Sequence, residues 1–144
     1  MRYLLDTCVI SELVAKRPAE HVVEWVDALD PDAVYLSVIT IGEIQKGIER
    51  LPISRRRAQL EAWLADELLG RFSGRVVPLD EEVLRTWGRL TASLEARGIT
   101  LPAIDTLLAA SALQGDFILV TRNEADFAAT GVRLHNPWPR GGVR

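Results

Sequence analysis

Four acidic residues have the type and spacing that would support metal chemistry. Asp6 ends the apolar run Tyr3–Leu5, Glu43 follows a second apolar run, Asp105 lies near the start of a helical segment, and Asp126 follows the last strongly apolar run. Carboxylates gathered in one cleft repel one another unless a cation or shared protons neutralise them, and their hard oxygens suit Mg²⁺ or Mn²⁺. Such an ion activates water and stabilises charge in phosphoryl displacement. The acids therefore predict a divalent-metal site that hydrolyses phosphodiesters.

Other residues that carry metal or nucleophilic chemistry are scarce. The chain has two histidines, His21 and His135, and one cysteine, Cys8, which argues against a zinc site. Cys8 is not followed by an arginine at the spacing of a phosphate-binding thiol loop, and the chain contains neither a Gly-x-Gly-x-x-Gly motif nor a P-loop. Oxygen ligation of a hard cation is the metal chemistry that the sequence supports.

Short apolar runs alternate with segments of helical periodicity. The runs predict strands at Tyr3–Leu5, Ala33–Val38, Arg75–Leu79, Phe117–Val120 and Val132–His135. Helical periodicity predicts helices near 19–29, 41–51, 58–69, 81–96 and 103–113. This alternation favours an α/β fold with a mainly parallel sheet and right-handed crossovers. Because ligands bind beyond the carboxyl ends of the strands in such sheets, we expect the four acids to face one edge.

Composition limits the class of protein. With 144 residues, 48% of them hydrophobic, the chain can bury one sizeable core, and we expect a single domain spanning 1–144. A net charge of -3 argues against a wholly polycationic nucleic-acid binder but allows a local basic patch. One cysteine and the lack of a basic, apolar leader predict a reduced, cytoplasmic protein. No apolar run approaches the roughly 20 residues that span a bilayer.

Several of the acids also fit ordinary helix-capping roles. Thr40 and Glu43 have the spacing of a capping box, in which Glu43 reaches back to the Thr40 amide. Thr121 and Glu124 have the same spacing, which favours a cap over a metal ligand for Glu124. Asp105, near a helix start, could complement the helix dipole. These structural roles compete with the metal-site interpretation.

Asp80 and Asp6 both follow apolar runs but differ in what comes next. Asp80 directly precedes an acidic helical segment, as an N-cap would, so we interpret it as a cap. After Asp6, the stretch 7–10 begins no clear helix, and Ser11 is the better N-cap candidate. Asp6 is therefore the acid that a structural role explains least well.

Four short motifs follow one another along essentially the whole chain: Leu5-Asp6-Thr7, Thr40-Ile41-Gly42-Glu43-Ile44, Ala103-Ile104-Asp105-Thr106-Leu107-Leu108-Ala109-Ala110 and Val120-Thr121-Arg122-Asn123-Glu124-Ala125-Asp126-Phe127. In this order and at these separations they resemble the PIN-domain family, specifically VapC-type toxins of type II bacterial toxin–antitoxin pairs. The later stretch Asn136-Pro137-Trp138 resembles the FitB-like branch, and Trp138 is expected to anchor it. The resemblance implies a PIN-like (Rossmann-like), mainly parallel sheet flanked by helices.

The resemblance also implies an activity and a site. By position, Asp6, Glu43 and Asp105 would form the acidic core of an Mg²⁺- or Mn²⁺-dependent ribonuclease. The fourth position departs from the family pattern, since close relatives often carry Asp where this chain has Asn123. We assign the fourth catalytic and metal-binding place to Asp126, about one helical turn further on.

Three other residues are expected to support these acids. Asn123 would orient water or substrate, because an amide oxygen can ligate Mg²⁺ directly or through water but carries no charge. Thr7 and Thr121 would contribute hydroxyl contacts to the acids or to the substrate. The sequence leaves open whether Asn123 or Asp126 fills the fourth position.

The resemblance further implies partners. They are an RNA substrate, a second copy in a homodimer, and a cognate antitoxin that covers the active site and contacts DNA on behalf of this acidic chain. The alternative is a non-catalytic PIN-fold module that binds an antitoxin or nucleic acid without cutting, and Asn123 gives that alternative weight.

Overall fold

Five parallel strands form the sheet of the computed structural model, which describes residues 1–139. The strands are β1 Tyr3–Leu5, β2 Val34–Ser37, β3 Val76–Val77, β4 Ile118–Val120 and β5 Leu134–His135. Their order across the sheet is β3-β2-β1-β4-β5, and every neighbouring pair is parallel. The predicted α/β fold with a mainly parallel sheet is confirmed.

Helices connect the strands and cover the sheet. They are α1 Thr7–Val14, α2 Glu20–Asp27, α3 Val38–Glu49, α4 Arg55–Ala62, α5 Leu69–Arg71, α6 Glu81–Ala96, α7 Ala103–Gln114 and α8 Glu124–Phe127. A π-helical segment, Trp63–Leu68, joins α4 to α5, and short 3-10 turns occupy Pro31–Ala33 and Ala128–Thr130. Among residues 1–139, no helix is both long and apolar enough to cross a membrane. The end of the predicted domain, 140–144, lies outside the described residues.

The strand order determines where a ligand site forms. The chain builds β2 and β3 on one side of β1 and then returns to place β4 and β5 on the other, so the order reverses between β1 and β4. Leu5 pairs with both Leu36 and Val120, so β1 and β4 end level with one another and β2 continues one residue further. Asp6 and Thr121 follow at the same edge, which we call the carboxyl edge. Crevices at such a reversal are the usual ligand sites of open α/β sheets.

Both faces of the sheet are covered by apolar layers. Leu5 packs with Val9 and Ile10 of α1 on one face, whereas Leu4 packs with Leu108 of α7 on the other. Neighbouring strand residues point to opposite faces, and all of these side chains are fully or almost fully buried. This burial on two sides is typical of parallel sheets. It holds the ends of β1 and β4 rigidly beneath the carboxyl edge.

Four of the five strands, β2 to β5, are shorter than their predicted ranges, and for β3 and β2 the structure shows why. Strand β3 keeps only Val76 and Val77 of the predicted 75–79, because Pro78 has no N–H to donate to the sheet. Strand β2 begins after the 3-10 turn that contains Ala33 and ends at Ser37, whose hydroxyl accepts the Ile39 amide and caps α3.

The expectation that no helix begins after Asp6 is wrong. Helix α1 starts at Thr7, and Asp6 is its N-cap, whereas Ser11 is an exposed residue within the helix. The β-branched residues after Asp6 weaken local helix propensity, but burial of Val9 and Ile10 against the sheet outweighs it. Asp80 caps α6 as predicted, since its carboxylate accepts the Val83 amide at 2.9 Å.

Neither predicted capping box forms. Because Ser37 caps α3, Thr40 is a buried helical residue and Glu43 lies in the second turn, too far along to reach back to the helix start. Helix α8 begins at Glu124, and the Thr121 hydroxyl instead accepts the Asn123 amide at 3.0 Å. Glu43 therefore has no helix-capping role, and the interpretation that competed with metal binding no longer applies to it.

Candidate functional site

Asp6 is the most buried of the four acids, with 8% of its surface exposed. Its Oδ1 accepts the Thr7 amide at 2.7 Å, and its Oδ2 accepts the Thr121 hydroxyl at 2.8 Å. These bonds fix the carboxylate across the gap between β1 and β4. Oδ1 has a second lone pair that can accept a further ligand, whereas Oδ2 also lies within reach of the Cys8 thiol, at 3.7 Å.

Glu43 is linked to Asp6 through the intervening threonine. The Thr7 hydroxyl donates to Glu43 Oε1 and lies 3.2 Å from the hydroxyl of buried Thr40. Thr7 therefore contacts both acids, Asp6 with its backbone and Glu43 with its side chain. The role of Thr40 was missed in the sequence, although a hydroxyl one turn before Glu43 on the same helix face was a usable signal.

Asp105 brings the remaining acids into one electrostatic group. It is the third residue of α7 and half-buried. Burial raises the pKa of its carboxyl, and the charges of Asp126, Asp6 and Glu43 raise that pKa further, in that order. These effects act against the stabilisation that a helix start gives to a carboxylate.

The segment after β4 holds the fourth acid and its neighbours. Asp126 lies exposed on α8, and its charge acts on Asp105 more than those of Asp6 and Glu43 do. Asn123 is also exposed and is joined to the site through its amide, which donates to Thr121 Oγ1. Glu124 is turned elsewhere, since it accepts the Asn136 side-chain amide at 3.1 Å.

The segment after β5 is fixed against α1, as predicted for Trp138. This indole is 9% exposed and donates through Nε1 to Glu12 Oε1 at 3.3 Å. The Arg122 guanidinium carbon lies 5.4 Å from its ring centroid. Arg122, directly after Thr121, therefore makes a cation–π contact with Trp138.

Cys8 lies beside the site but is not an activated nucleophile. Its Sγ is 3.7 Å from both Asp6 Oδ2 and Thr121 Oγ1. Burial raises the pKa of the thiol, and the Asp6 charge raises it further. The thiolate that nucleophilic chemistry requires is therefore disfavoured.

The donor set of the site fits a hard divalent cation. Between residues 1 and 139, no lysine, arginine or histidine forms an ion pair with any of the four acids. In their present rotamers, no three acidic, histidine or cysteine side chains of the described chain are grouped closely enough to hold an ion. The raised pKa of Asp105 nevertheless reports unneutralised like charge. Oxygen ligands with excess negative charge are what Mg²⁺ and Mn²⁺ prefer.

A groove extends from Glu43, the one of the four acids that lines it, along α3. It has a volume of about 580 Å³ and is lined by Glu43, Lys46 and Arg50 together with apolar residues of neighbouring elements. A smaller, mostly apolar cavity of about 170 Å³ lies on the other side of α3 and shares Thr7, Glu43 and Gly47 with the groove. Arg50 was missed in the sequence, although its spacing of seven residues from Glu43 places both on one helix face.

Comparisons with a family model, with related proteins and with solved structures each match nearly the whole chain. Residues 3–132 match the family model described as PIN domain. The chain is 36% identical to the VapC ribonuclease Y4jK of Sinorhizobium fredii, covering 94% of this chain and 96% of that one. It is also 36% identical to the toxin FitB of Neisseria gonorrhoeae, covering 94% and 97%. A solved structure of FitAB bound to a DNA fragment matches with a TM-score of 0.90 at 34% identity, covering 99% of each chain.

Proposed function

Because this chain belongs to the PIN-domain family and is similar along nearly its whole length to VapC-type toxins, we propose that it is an Mg²⁺- or Mn²⁺-dependent ribonuclease. The observation that carries the proposal is that the charges of Asp126, Asp6 and Glu43 all act on Asp105, and no basic side chain of residues 1–139 neutralises these four carboxylates. The VapC ribonuclease of Sinorhizobium fredii supports RNA as the substrate.

Each acid has a distinct part in the proposal. Asp6, Glu43 and Asp105 hold the metal, and Asp126 adds negative charge from the exposed rim. When bound, the metal would supply an activated water and stabilise the negative charge that develops on the phosphoryl oxygens. Thr121 orients Asp6, and Thr7 orients Glu43, through the hydroxyl bonds described above. Asn123, exposed beside Thr121, contacts water or substrate.

The same proposal covers the biological setting. The chain acts as the toxin of a toxin–antitoxin pair in the cytoplasm, as a homodimer held inactive by a cognate antitoxin. The FitB toxin of Neisseria gonorrhoeae supports the toxin assignment, and the DNA-bound FitAB structure supports DNA contact by the complex. A net charge of -3 favours DNA contact through the antitoxin.

A non-catalytic binding module is the second candidate, and one residue favours it. Asn123 stands where the family pattern has an acid, so the site carries one charge fewer at that position. The two candidates differ in a measurable way, because only the nuclease has a metal-dependent cleavage to lose.

Cleavage of mixed structured RNAs by purified, antitoxin-free protein tests the proposal. We expect cleavage with Mg²⁺ or Mn²⁺, none with EDTA, and a loss of at least about 100-fold in Asp6→Asn and Asp105→Asn, because each removes a ligand charge. Asp116→Asn is the matched control. It makes the same chemical change at an exposed residue with φ of 55°, a conformation that Asn tolerates, at the opposite edge of the sheet.

Two results would contradict the nuclease. One is folded wild-type protein that cuts no RNA with either metal, which would favour the binding module. The other is cleavage that survives in both Asp6→Asn and Asp105→Asn, which would place the chemistry elsewhere or in a contaminant.

A further inference from the structure

One basic side chain lies next to the acids and yet does not pair with them. Arg122 directly follows Thr121, whose hydroxyl is 2.8 Å from Asp6 Oδ2. Consecutive Cα atoms are about 3.8 Å apart, which is less than the length of an arginine side chain, so the Arg122 guanidinium could reach the acids. In the part of the chain that the structure describes, Arg122 forms no ion pair with a carboxylate. Another contact therefore determines its position.

That contact is with the Trp138 ring. The guanidinium carbon lies 5.4 Å from the ring centroid, within the roughly 6 Å range of a cation–π interaction. Arg2 and Arg75 also lie over aromatic rings, but each donates in addition to a backbone carbonyl. Between residues 1 and 139, the Arg122 side chain donates no hydrogen bond, so the ring alone holds its guanidinium.

Trp138 is fixed firmly enough to position a neighbouring side chain. Its indole is 9% exposed and packs in the apolar layer beneath α1. Nε1 donates to Glu12 Oε1 at 3.3 Å, and the Trp138 backbone N–H donates to Asn136 Oδ1 at 2.9 Å. Asn136 in turn donates to Glu124 Oε2 at 3.1 Å. These bonds tie the indole to both α1 and α8.

The backbone beside Arg122 is fixed as well. The Thr121 N–H donates to the His135 carbonyl at 3.0 Å, which continues the pairing of β4 with β5. Arg122 and Trp138 therefore belong to segments that are aligned by the sheet. From this fixed backbone, the guanidinium has two kinds of partner within reach, the Trp138 ring and the acids.

The choice between these partners affects metal binding. An exposed cation–π contact and an exposed ion pair are of similar, small strength, so removal of the ring should be enough to change the partner of Arg122. An ion pair would occupy carboxylate oxygens that a hard cation needs as ligands. The metal would then have to break that pair before it could bind.

We propose that Trp138 is a positioning residue, which holds Arg122 away from the acids of the carboxyl edge and so keeps their carboxylates available to a divalent metal. The inference rests on the proposed metal-dependent function and names the residue that keeps its site free of an internal cation. It also gives the stretch Asn136-Pro137-Trp138 a role at the site, because this stretch fixes the indole.

Calorimetric titration with Mn²⁺ tests the inference with two linked variants. Trp138→Leu should weaken Mn²⁺ binding about fivefold, the factor expected if an exposed ion pair must be broken first. Arg122→Gln added to Trp138→Leu should restore the wild-type affinity, because the competing cation is then absent. Lost packing would not be repaired by a change at Arg122, so this rescue separates positioning from a structural role.

Two single variants complete the set. Trp138→Phe keeps an aromatic ring beside Arg122 and should leave Mn²⁺ affinity within about twofold of wild type. Arg122→Gln alone preserves Trp138 and its packing, and it should also change the affinity by no more than about twofold, because the guanidinium already lies off the acids. A larger gain of affinity in Arg122→Gln would mean that Arg122 pairs with the acids in the wild type, which would overturn the inference even if Trp138→Leu did not fold.

A crystal structure of Trp138→Leu grown in EDTA tests the inference without metal. The Arg122 guanidinium should lie within about 4 Å of a carboxylate oxygen of Asp6, Asp105 or Asp126. A guanidinium that points into solvent would overturn the inference, as would a loss of Mn²⁺ affinity that Arg122→Gln does not restore. Wild type that binds no Mn²⁺, combined with Arg122 paired to an acid in Trp138→Leu, would contradict the proposed metal-dependent function and support the positioning of Arg122 by Trp138.

Discussion

Charged side chains are paired at one edge of the sheet and unpaired at the other. We call the edge at the amino ends of the strands the amino edge. At the amino edge, Arg133 pairs with Asp116 at 2.9 Å, and the Arg2 guanidinium lies 4.4 Å from the Phe117 ring centroid and donates to the Gly115 carbonyl. At the carboxyl edge, the charges of Asp126, Asp6 and Glu43 act on Asp105, and no cation of residues 1–139 pairs with any of the four. Charges placed for folding are satisfied within the chain, whereas charges left unsatisfied together indicate a function.

The role of the carboxyl edge can be tested further by removing a hydrogen bond that positions Asp6 while keeping Asp6 itself. Thr121→Val keeps the shape of a fully buried side chain but deletes its bond to Asp6 Oδ2 and the acceptor of the Asn123 amide. We expect the metal affinity to fall about 10-fold, the lower end of the range for lost support of a ligand. Titration with Mn²⁺ measures it, and Thr121→Ser should restore it.

A purely structural role for Thr121 would give a different pattern. The melting temperature would then fall in Thr121→Val while the metal affinity stayed at its wild-type value. Thr121→Ser would restore stability without any change in metal binding.

Neutralising an acid should have a smaller effect, seen in the melting temperature, and this effect should differ between the two edges. Burial and three neighbouring carboxylates raise the pKa of Asp105, so its ionised form destabilises the metal-free fold. This cost is present above the folded-state pKa and is relieved as pH falls through it. Asp105→Asn in EDTA should therefore melt a few degrees higher than wild type at pH 7, with the gap closing toward roughly pH 4.

The amino edge supplies the reference for that measurement. Asp116→Asn breaks an exposed ion pair and should leave the melting temperature nearly unchanged or slightly lower. Thermal unfolding of both variants at several pH values checks the contrast. An Asp105→Asn protein that melts below wild type in EDTA would contradict the view that like charge dominates at the carboxyl edge.

The position of the acids at the carboxyl edge could largely be predicted from the sequence, because the acids follow the apolar runs that form the strands. Alternating apolar and helical segments predicted the parallel sheet, and acids after apolar runs predicted that Asp6 lies at its carboxyl edge. The pairing of Asp6 with Thr121 depends on which strand neighbours β1, and that order is a long-range property that periodicity does not encode.

Local signals failed where tertiary packing or a competing cap decided the outcome. Helix α1 begins directly after Asp6 because burial of its apolar face overrides the weak propensity of its first turn. The spacing of Thr40 and Glu43 predicted that Thr40 caps the helix, but Ser37 caps α3 instead. Glu43 therefore lies in the second turn of the helix, near the site.

Mn²⁺ binding tests the central claim, a divalent-metal site at the carboxyl edge, most directly. Calorimetric titration should be carried out on wild type, Asp105→Asn and Asp116→Asn, each with its fold verified by circular dichroism. We predict binding by wild type and Asp116→Asn and a loss of at least about 10-fold in Asp105→Asn, because a ligand charge is removed. Equal affinity in all three proteins, or no binding by wild type, would contradict the claim.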